Sequence, residues 1–316
     1  MGKCELPFTE ETGAPARPLS PCVLEKARLD LNEDEQGRER ALEELRTWIG
    51  RNRNILTCRE DANFLLRFLR MKKFRMPEAQ AVLMKYLKMR QKEPRYFHRL
   101  DIQDPAINDL VSRGYMFVLP ERDSAGRRVV VSRGSRVDPA RHTPEQVIRT
   151  NLMTFETLLE DEENQIRGFT YLYDQKGIGF SHVLMWSPSQ VSHMIACCES
   201  AMPMRHQQIN FVNVHTLIHT VLEFVKGLIA EKLRSRFIIY SNVDKLQRSL
   251  PVKILPKEYG GETPMEEMIA AWKKELETSR ERLLALDQMR VRSEDEEPCV
   301  STAAGLHCSL AELDID

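Results

Sequence analysis

The sequence predicts an α/β protein in which an all-helical bundle precedes a mixed, mostly parallel sheet covered by helices. Residues 20–100 carry only helical periodicity and helix caps. Beyond residue 101, short β-rich runs alternate with amphipathic helical stretches, the pattern of strands joined by crossover helices. The chain has 316 residues and is 42% hydrophobic, enough for one large core or two modest ones.

Residues 1–19 are rich in Pro and Gly and read as a flexible N-terminus. Ser20 is placed to cap a helix, with Pro21 in its first turn and Leu24, Ala27 and Leu31 on one face. Ala41, Leu42, Leu45, Trp48 and Ile49 form the stripe of a second helix that Gly50 ends. Asp61 caps a third, whose buried side is Phe64, Leu65, Phe68 and Leu69, with Arg67 and Arg70 together on the other side. Pro77 starts a fourth and Pro94 ends it. Tyr115–Leu119 and Arg128–Val131 flank Asp123-Ser124-Ala125-Gly126, a hairpin turn. Strands follow at Phe169–Asp174, Ile209–Val212 and Phe237–Tyr240. Helices start at Pro144, Pro188 and Thr216, the last running to Arg234. A charged helix from Pro264 completes a second unit over 101–285. Residues 286–316 read as a flexible acidic tail.

Composition excludes several classes. Lys+Arg number 46 against 47 Asp+Glu, so no global field favours nucleic acid, and any membrane contact must be a local patch. The seven cysteines are odd in number and scattered, which suits a reducing cytoplasm better than a disulfide framework. The N-terminal residues contain no apolar secretory core, Leu6 breaks a myristoylation pattern, and no run reaches the length of a membrane span.

Candidate chemistry is sparse. His215 and His219 stand four apart, but Thr216 replaces the Glu of a zinc protease, and Glu223 shares their helix. A helix face partly in solvent accounts for them, and no metal is expected. Cys197-Cys198, a turn after His193, reads as a pair of buried small apolar side chains rather than reactive thiols. Gly177-Ile178-Gly179 lacks the third Gly of a dinucleotide loop, and no Ser sits in Gly-x-Ser-x-Gly. No enzymatic activity and no cofactor are expected.

The Thr216–Arg234 helix is apolar over more than half its circumference. That suits either a helix buried between sheet and neighbours or a lid over an apolar cavity with an outer face for membranes. Gly227 marks a place where it bends easily. Lys232, Arg234 and Arg236 follow. The helix dipole explains cations there, and so would binding to lipid phosphates.

Two further segments carry a resemblance. One is Ile254-Leu255-Pro256-Lys257-Glu258-Tyr259-Gly260-Gly261, a strand end, a Pro-initiated turn and a Gly pair. The other is Phe64-Leu65-Leu66-Arg67-Phe68-Leu69-Arg70. With the acidic run Glu160–Glu163 leading into Phe169, and Asp174 followed by Gly177 and Phe180-Ser181-His182, they make residues 20–285 resemble the CRAL-TRIO (Sec14-like) lipid-binding family. The most similar subgroup is that of α-tocopherol transfer protein, cellular retinaldehyde-binding protein and the clavesins.

The resemblance implies a cytoplasmic, monomeric carrier of one hydrophobic molecule, tocopherol-, retinoid- or similar in kind, in a pocket closed by a gate helix from Thr216 to Ala230. It also implies docking to phosphoinositide membranes, endosomal or plasma, through Lys72, Arg205, Lys232 and Arg236. Arg67 and Arg70 are then structural, pairing with carboxylates of the main domain. Pocket residues nominated on this basis are Phe155, Leu158 and Leu159 from one helix, Phe169, Tyr171 and Tyr173 from one strand face, and Ile218, Val221, Leu222 and Val225 from the gate. The chain lacks two of the family's prolines, at Asn213-Val214-His215 and Lys226-Gly227, and has Met202-Pro203 in place of a Phe-Pro, which leaves gate geometry and ligand identity open. A phosphoinositide-binding trafficking or signalling adaptor without ligand transfer is the alternative.

Overall fold

The computed structural model describes residues 18–53, 56–200, 202–247 and 249–291. Most of the expected flexible N-terminus and the tail beyond Val291 lie outside the described residues, as do the side chains of Cys197 and Cys198.

The helical part contains α1 (Pro21–Leu31), α2 (Glu35–Arg51), the two-residue strand β1 (Leu56–Thr57), α3 (Ala62–Met71), α4 (Met76–Lys92) and α5 (Pro94–Phe97). Asp61 accepts from the Phe64 amide and starts α3 as its sequence requires. Ser20 occupies the cap position of α1, but its hydroxyl makes no capping bond. Gly50 does not end α2, which continues to Arg51. A solvent-facing Gly lowers helix propensity by only about 1 kcal/mol, too little to stop a packed helix.

The second part runs α6 (Pro105–Ser112), β2 (Met116–Val118), β3 (Arg128–Arg133), α7 (Pro144–Leu158), α8 (Glu162–Arg167), β4 (Phe169–Asp174), α9 (Phe180–Leu184) and α10 (Pro188–Ser200). It continues with β5 (His206–Val212), α11 (Thr216–Leu228), α12 (Glu231–Arg234), β6 (Phe237–Tyr240), α13 (Val243–Leu246), α14 (Met265–Ala285) and β7 (Arg290–Val291). The sheet order is β2-β3-β4-β5-β6. Only β2–β3 is antiparallel, across the expected hairpin. The other pairs are parallel.

One apolar core runs from Leu42 in α2, through Phe117 and Leu172 in the sheet, to Trp272 in α14. Helix α1 packs separately, with Val23, Ala27 and Leu31 against Ile166 of α8. Residues 286–291, expected in the tail, are packed. Leu286 and Met289 are buried, and β7 pairs with β1.

Candidate functional site

At the carboxyl ends of β3 and β4 the structure opens into a cavity of about 560 Å³. Ser132 and Gly134 border it from the end of β3, Tyr173 and Gln175 from the end of β4. Crevices form there because crossover connections leave that edge of a parallel sheet uncovered. Asn151, Leu152 and Phe155 of α7 make a second wall. Val183 of α9, Trp186 from the link that follows, and Val191 and Met194 of α10 make a third. Ile218, Val221, Leu222 and Val225 of α11 close another side. Tyr96 and Phe97 reach in from the helical part.

Helix α11 is shorter than its sequence suggested. It ends at Leu228, Ile229 is extended, and α12 is a separate turn. The break falls beside Gly227, where the last turn is weakest. Phe224 and Leu228 remain exposed on α11, and Phe180 and Leu184 on α9. Two of the helices that border the cavity, α9 and α11, therefore present apolar side chains to solvent. At the start of α11, His215 Nε2 donates to the Ile178 carbonyl at 2.8 Å, which ties the helix to the α9 approach.

The polar atoms in the cavity are few. Tyr115 Oη donates to Asn151 Oδ1 at 2.9 Å. Burial pushes the Tyr115 phenol up to about 12, so it stays neutral near pH 7. His182 Nδ1 accepts from the Gly179 amide at 3.1 Å, which leaves the proton of the neutral ring on Nε2.

The rim is held by Asp174 at the end of β4. Its Oδ2 accepts from Tyr259 Oη at 2.6 Å and its Oδ1 from Asn213 Nδ2 at 2.7 Å. Burial and the Asp174 charge push the Tyr259 phenol far above its ordinary range. Tyr259 sits in the Ile254–Gly261 segment, whose glycines have different reasons. Gly260 has φ +93°, and a Cβ on Gly261 would stand 1.7 Å from the Leu255 carbonyl oxygen. The segment is thus a clasp between β4 and the last part of the chain.

A second clasp joins the helical part to α7 and α8. Both sides of α3 are buried: the apolar one in the core, the Arg67 and Arg70 side in ion pairs. Arg67 donates to Glu156 and Glu160, each at 3.0 Å. Arg59 donates to Glu160 at 2.6 Å. Arg70 reaches Glu33 at 2.6 Å and Glu162 at 2.7 Å. Tyr86 Oη donates to Glu156 Oε1 at 2.6 Å. Burial alone would raise the Glu160 carboxyl, but the Arg67 and Arg59 guanidiniums outweigh it and hold it at about 2.

The four basic residues proposed from the sequence are placed unevenly. Lys72 is the C-cap of α3 and half-buried. Lys232 is exposed on α12. Arg205 and Arg236 precede β5 and β6, and Arg127 precedes β3, so three arginines stand at the amino ends of parallel strands. Burial lowers the Arg236 guanidinium, and the neighbouring Arg127 charge lowers it further. Arg205 is not free. It donates to the Ile166 carbonyl and lies 3.7 Å from Asp30 of α1.

Comparison with known proteins agrees with this architecture. The CRAL/TRIO domain family matches residues 112–261. A second family, described as Pinta-like, UBA domain, matches residues 34–107. Clavesin-2 of Homo sapiens is 32% identical over 251 residues, 79% of this chain and 77% of the relative. Clavesin-1 of Rattus norvegicus is 31% identical over the same length, 71% of the relative. This chain belongs to the CRAL/TRIO family. The crystal structure of Sfh5 shares the fold, with a TM-score of 0.50 at 12% identity over 80% of this chain and 99% of that one. Membership places the protein among lipid-binding, lipid-transfer or trafficking proteins.

Of the ten pocket residues nominated for a CRAL/TRIO carrier, Phe155, Tyr173, Ile218, Val221, Leu222 and Val225 line the cavity. Leu158, Leu159, Phe169 and Tyr171 do not, being packed in the core. They lie toward the end of α7 and the start of β4, whereas the cavity lies at the opposite end of that strand. Tyr171 spends its hydroxyl on His206 Nδ1 at 2.7 Å. Sequence reasoning missed Tyr115, Asn151, Trp186 and the pair Tyr96-Phe97. Asn151 had a signal: it is a polar residue within the Ile148, Leu152, Phe155 stripe of a helix.

Proposed function

We propose that this protein is a non-enzymatic carrier that binds one hydrophobic molecule, tocopherol- or retinoid-like in size, and docks at phosphoinositide-containing membranes. The cavity carries the reading. Its volume of about 560 Å³ falls within the range of roughly 300–1,000 Å³ usual for small-molecule sites. Its walls are largely aliphatic and aromatic. Removing about 400 Å² of ligand surface from water at about 25 cal/mol per Å² gives on the order of 10 kcal/mol before entropic costs. That suffices for carriage without a covalent bond. Helix α11, with its weak last turn, is the element to swing aside. The exposed Phe180, Leu184, Phe224 and Leu228 suit an opening at a bilayer. Arg127 and Arg236, ahead of β3 and β6, with Lys232, supply cations for anionic headgroups.

The test is native mass spectrometry of the purified protein, followed by solvent extraction and identification of bound material. One stoichiometric hydrophobic molecule is expected. An empty protein that also refuses offered tocopherols, retinoids and phospholipids would overturn the carrier reading.

A further inference from the structure

We propose that strand β6, the open edge of the sheet, is a self-pairing surface. Two copies of this chain join β6 to β6 in antiparallel fashion and make one continuous sheet with five strands from each copy.

The two edges of the sheet are built differently. β2 is buried along its whole length, and α14 and α7 pack against it. β6 has a neighbouring strand on one side only. The Ile209 amide donates to the Arg236 carbonyl at 2.9 Å, and Ile209 stands opposite Phe237. In a parallel ladder that phase turns the N–H and C=O of Ile238 toward β5 and those of Phe237 and Ile239 outward. The outward groups have no partner among the described residues. Ile238 and Ile239 lie on opposite faces of the strand and are 38% and 37% exposed, so the edge is apolar above and below. Phe237–Tyr240 contains no Lys, Pro or Gly, and its register with β5 is unbroken. Charges, prolines and bulges are the devices that keep a strand edge from pairing, and this edge has none of them.

A bare edge accepts any extended segment. Self-complementarity commits this one to a second copy. A two-fold axis through Ile238 sets Phe237 against Ile239 of the second copy, and Ile239 against Phe237 of the second copy. Both are pairs of outward residues that exchange their N–H and C=O groups, so every outward group of the strand is used. Counted out from the same axis, Lys232 falls opposite Asp244 of the second copy, and Glu231 opposite Lys245. These residues belong to α12 and α13, the short helices that flank the strand. Opposite signs meet at both positions. All four residues are exposed, and none has an ion-pair partner among the described residues. The axis also turns one sheet end for end. Arg127 and Arg236 of one copy then stand on the same side of the joined sheet as the cavity of the other.

Sedimentation velocity on the full chain, from about 1 µM to about 200 µM, tests this. A strand of 4 residues makes a small interface, so a dimer that dissociates on dilution is expected. Hydrogen exchange should find the Phe237 and Ile239 amides slow in the dimer and fast after dilution. Ile239→Pro deletes an outward N–H and no ladder bond to β5. Ile238→Lys sets two like charges face to face on the axis. Each should raise the dissociation constant about tenfold or more. Glu231→Lys should weaken the dimer several-fold, and adding Lys245→Glu should restore it. Thermal melts check that each variant is folded. A monomer throughout the concentration range would overturn the proposal. So would undiminished dimerisation of the folded Ile239→Pro and Ile238→Lys variants, which would place the contact elsewhere. Phe237 and Ile239 amides that stay protected in the diluted monomer would show the edge covered by another segment of the same chain, and would overturn it too. Failure of Lys245→Glu to rescue Glu231→Lys would overturn the two-fold register.

Discussion

Glu160 receives two arginines at once, Arg67 at 3.0 Å and Arg59 at 2.6 Å. Its carboxyl is held at about 2, against an ordinary 4.5. A group whose folded value is depressed stabilises the protein fully above its unfolded value. That contribution is lost as pH falls through the folded one. Here the window runs from about pH 4.5 down to about 2, and the contribution at neutral pH is about 3 kcal/mol. Glu160→Gln should therefore lower the unfolding free energy by about 3 kcal/mol at pH 7, and wild type and variant should converge as the pH approaches 2. Urea unfolding at pH 7, 5 and 3 measures it, and a gap that stays constant with pH would refute the assignment. The pairing of Arg67 and Arg70 with distant carboxylates followed from the family resemblance. It was not legible from spacing alone: periodicity shows two arginines sharing a helix side, and only the tertiary contact shows that side buried.

Among the elements, α11 concentrates the functional question. Its periodicity was legible, and its inward residues Ile218, Val221, Leu222 and Val225 were found from the sequence. Its end was not, because helix termination at Leu228 depends on what Ile229 packs against, and Ile229 is buried. The same limit explains the errors on α7 and β4. Alternation gives the face of a strand and not the depth along it, so Phe169 and Tyr171 were grouped with Tyr173 although only the last reaches the cavity. Gly227 gives a direct test of the hinge. A Cβ there meets nothing within 4 Å, so Gly227→Ala fits without strain. Better helix propensity should stabilise the protein by up to about 1 kcal/mol. If the last turn must loosen for exchange, release of bound ligand to acceptor vesicles should slow several-fold, as a stopped-flow transfer assay would show. Unchanged release with a raised melting temperature would place the exit elsewhere.

Across the whole molecule the parallel sheet sets two edges apart. The cavity lies at the carboxyl ends of β3 and β4, while Arg127, Arg205 and Arg236 stand at the amino ends of β3, β5 and β6. Helix α11 leaves the carboxyl end of β5 and returns the chain, through α12, to the amino end of β6. The connection that walls the cavity thus ends at Lys232 and Arg236, beside the other arginines. Docking proposed at this end would act on the hinge after Gly227, linking headgroup contact to opening of the wall. The linkage requires the cations to act on membrane binding and not on the cavity. Each basic residue near an anionic surface contributes about 1 kcal/mol. Lys232→Ala combined with Arg236→Ala should then weaken binding to phosphoinositide-containing vesicles more than tenfold, with no change on neutral vesicles or in ligand affinity. Arg205 is the poorer choice for this variant, since its bonds to Ile166 and Asp30 are structural. Equal vesicle binding by the double variant in a flotation assay would remove the amino-end arginines from the docking surface and leave the exposed apolar residues of α9 and α11 to account for any membrane contact.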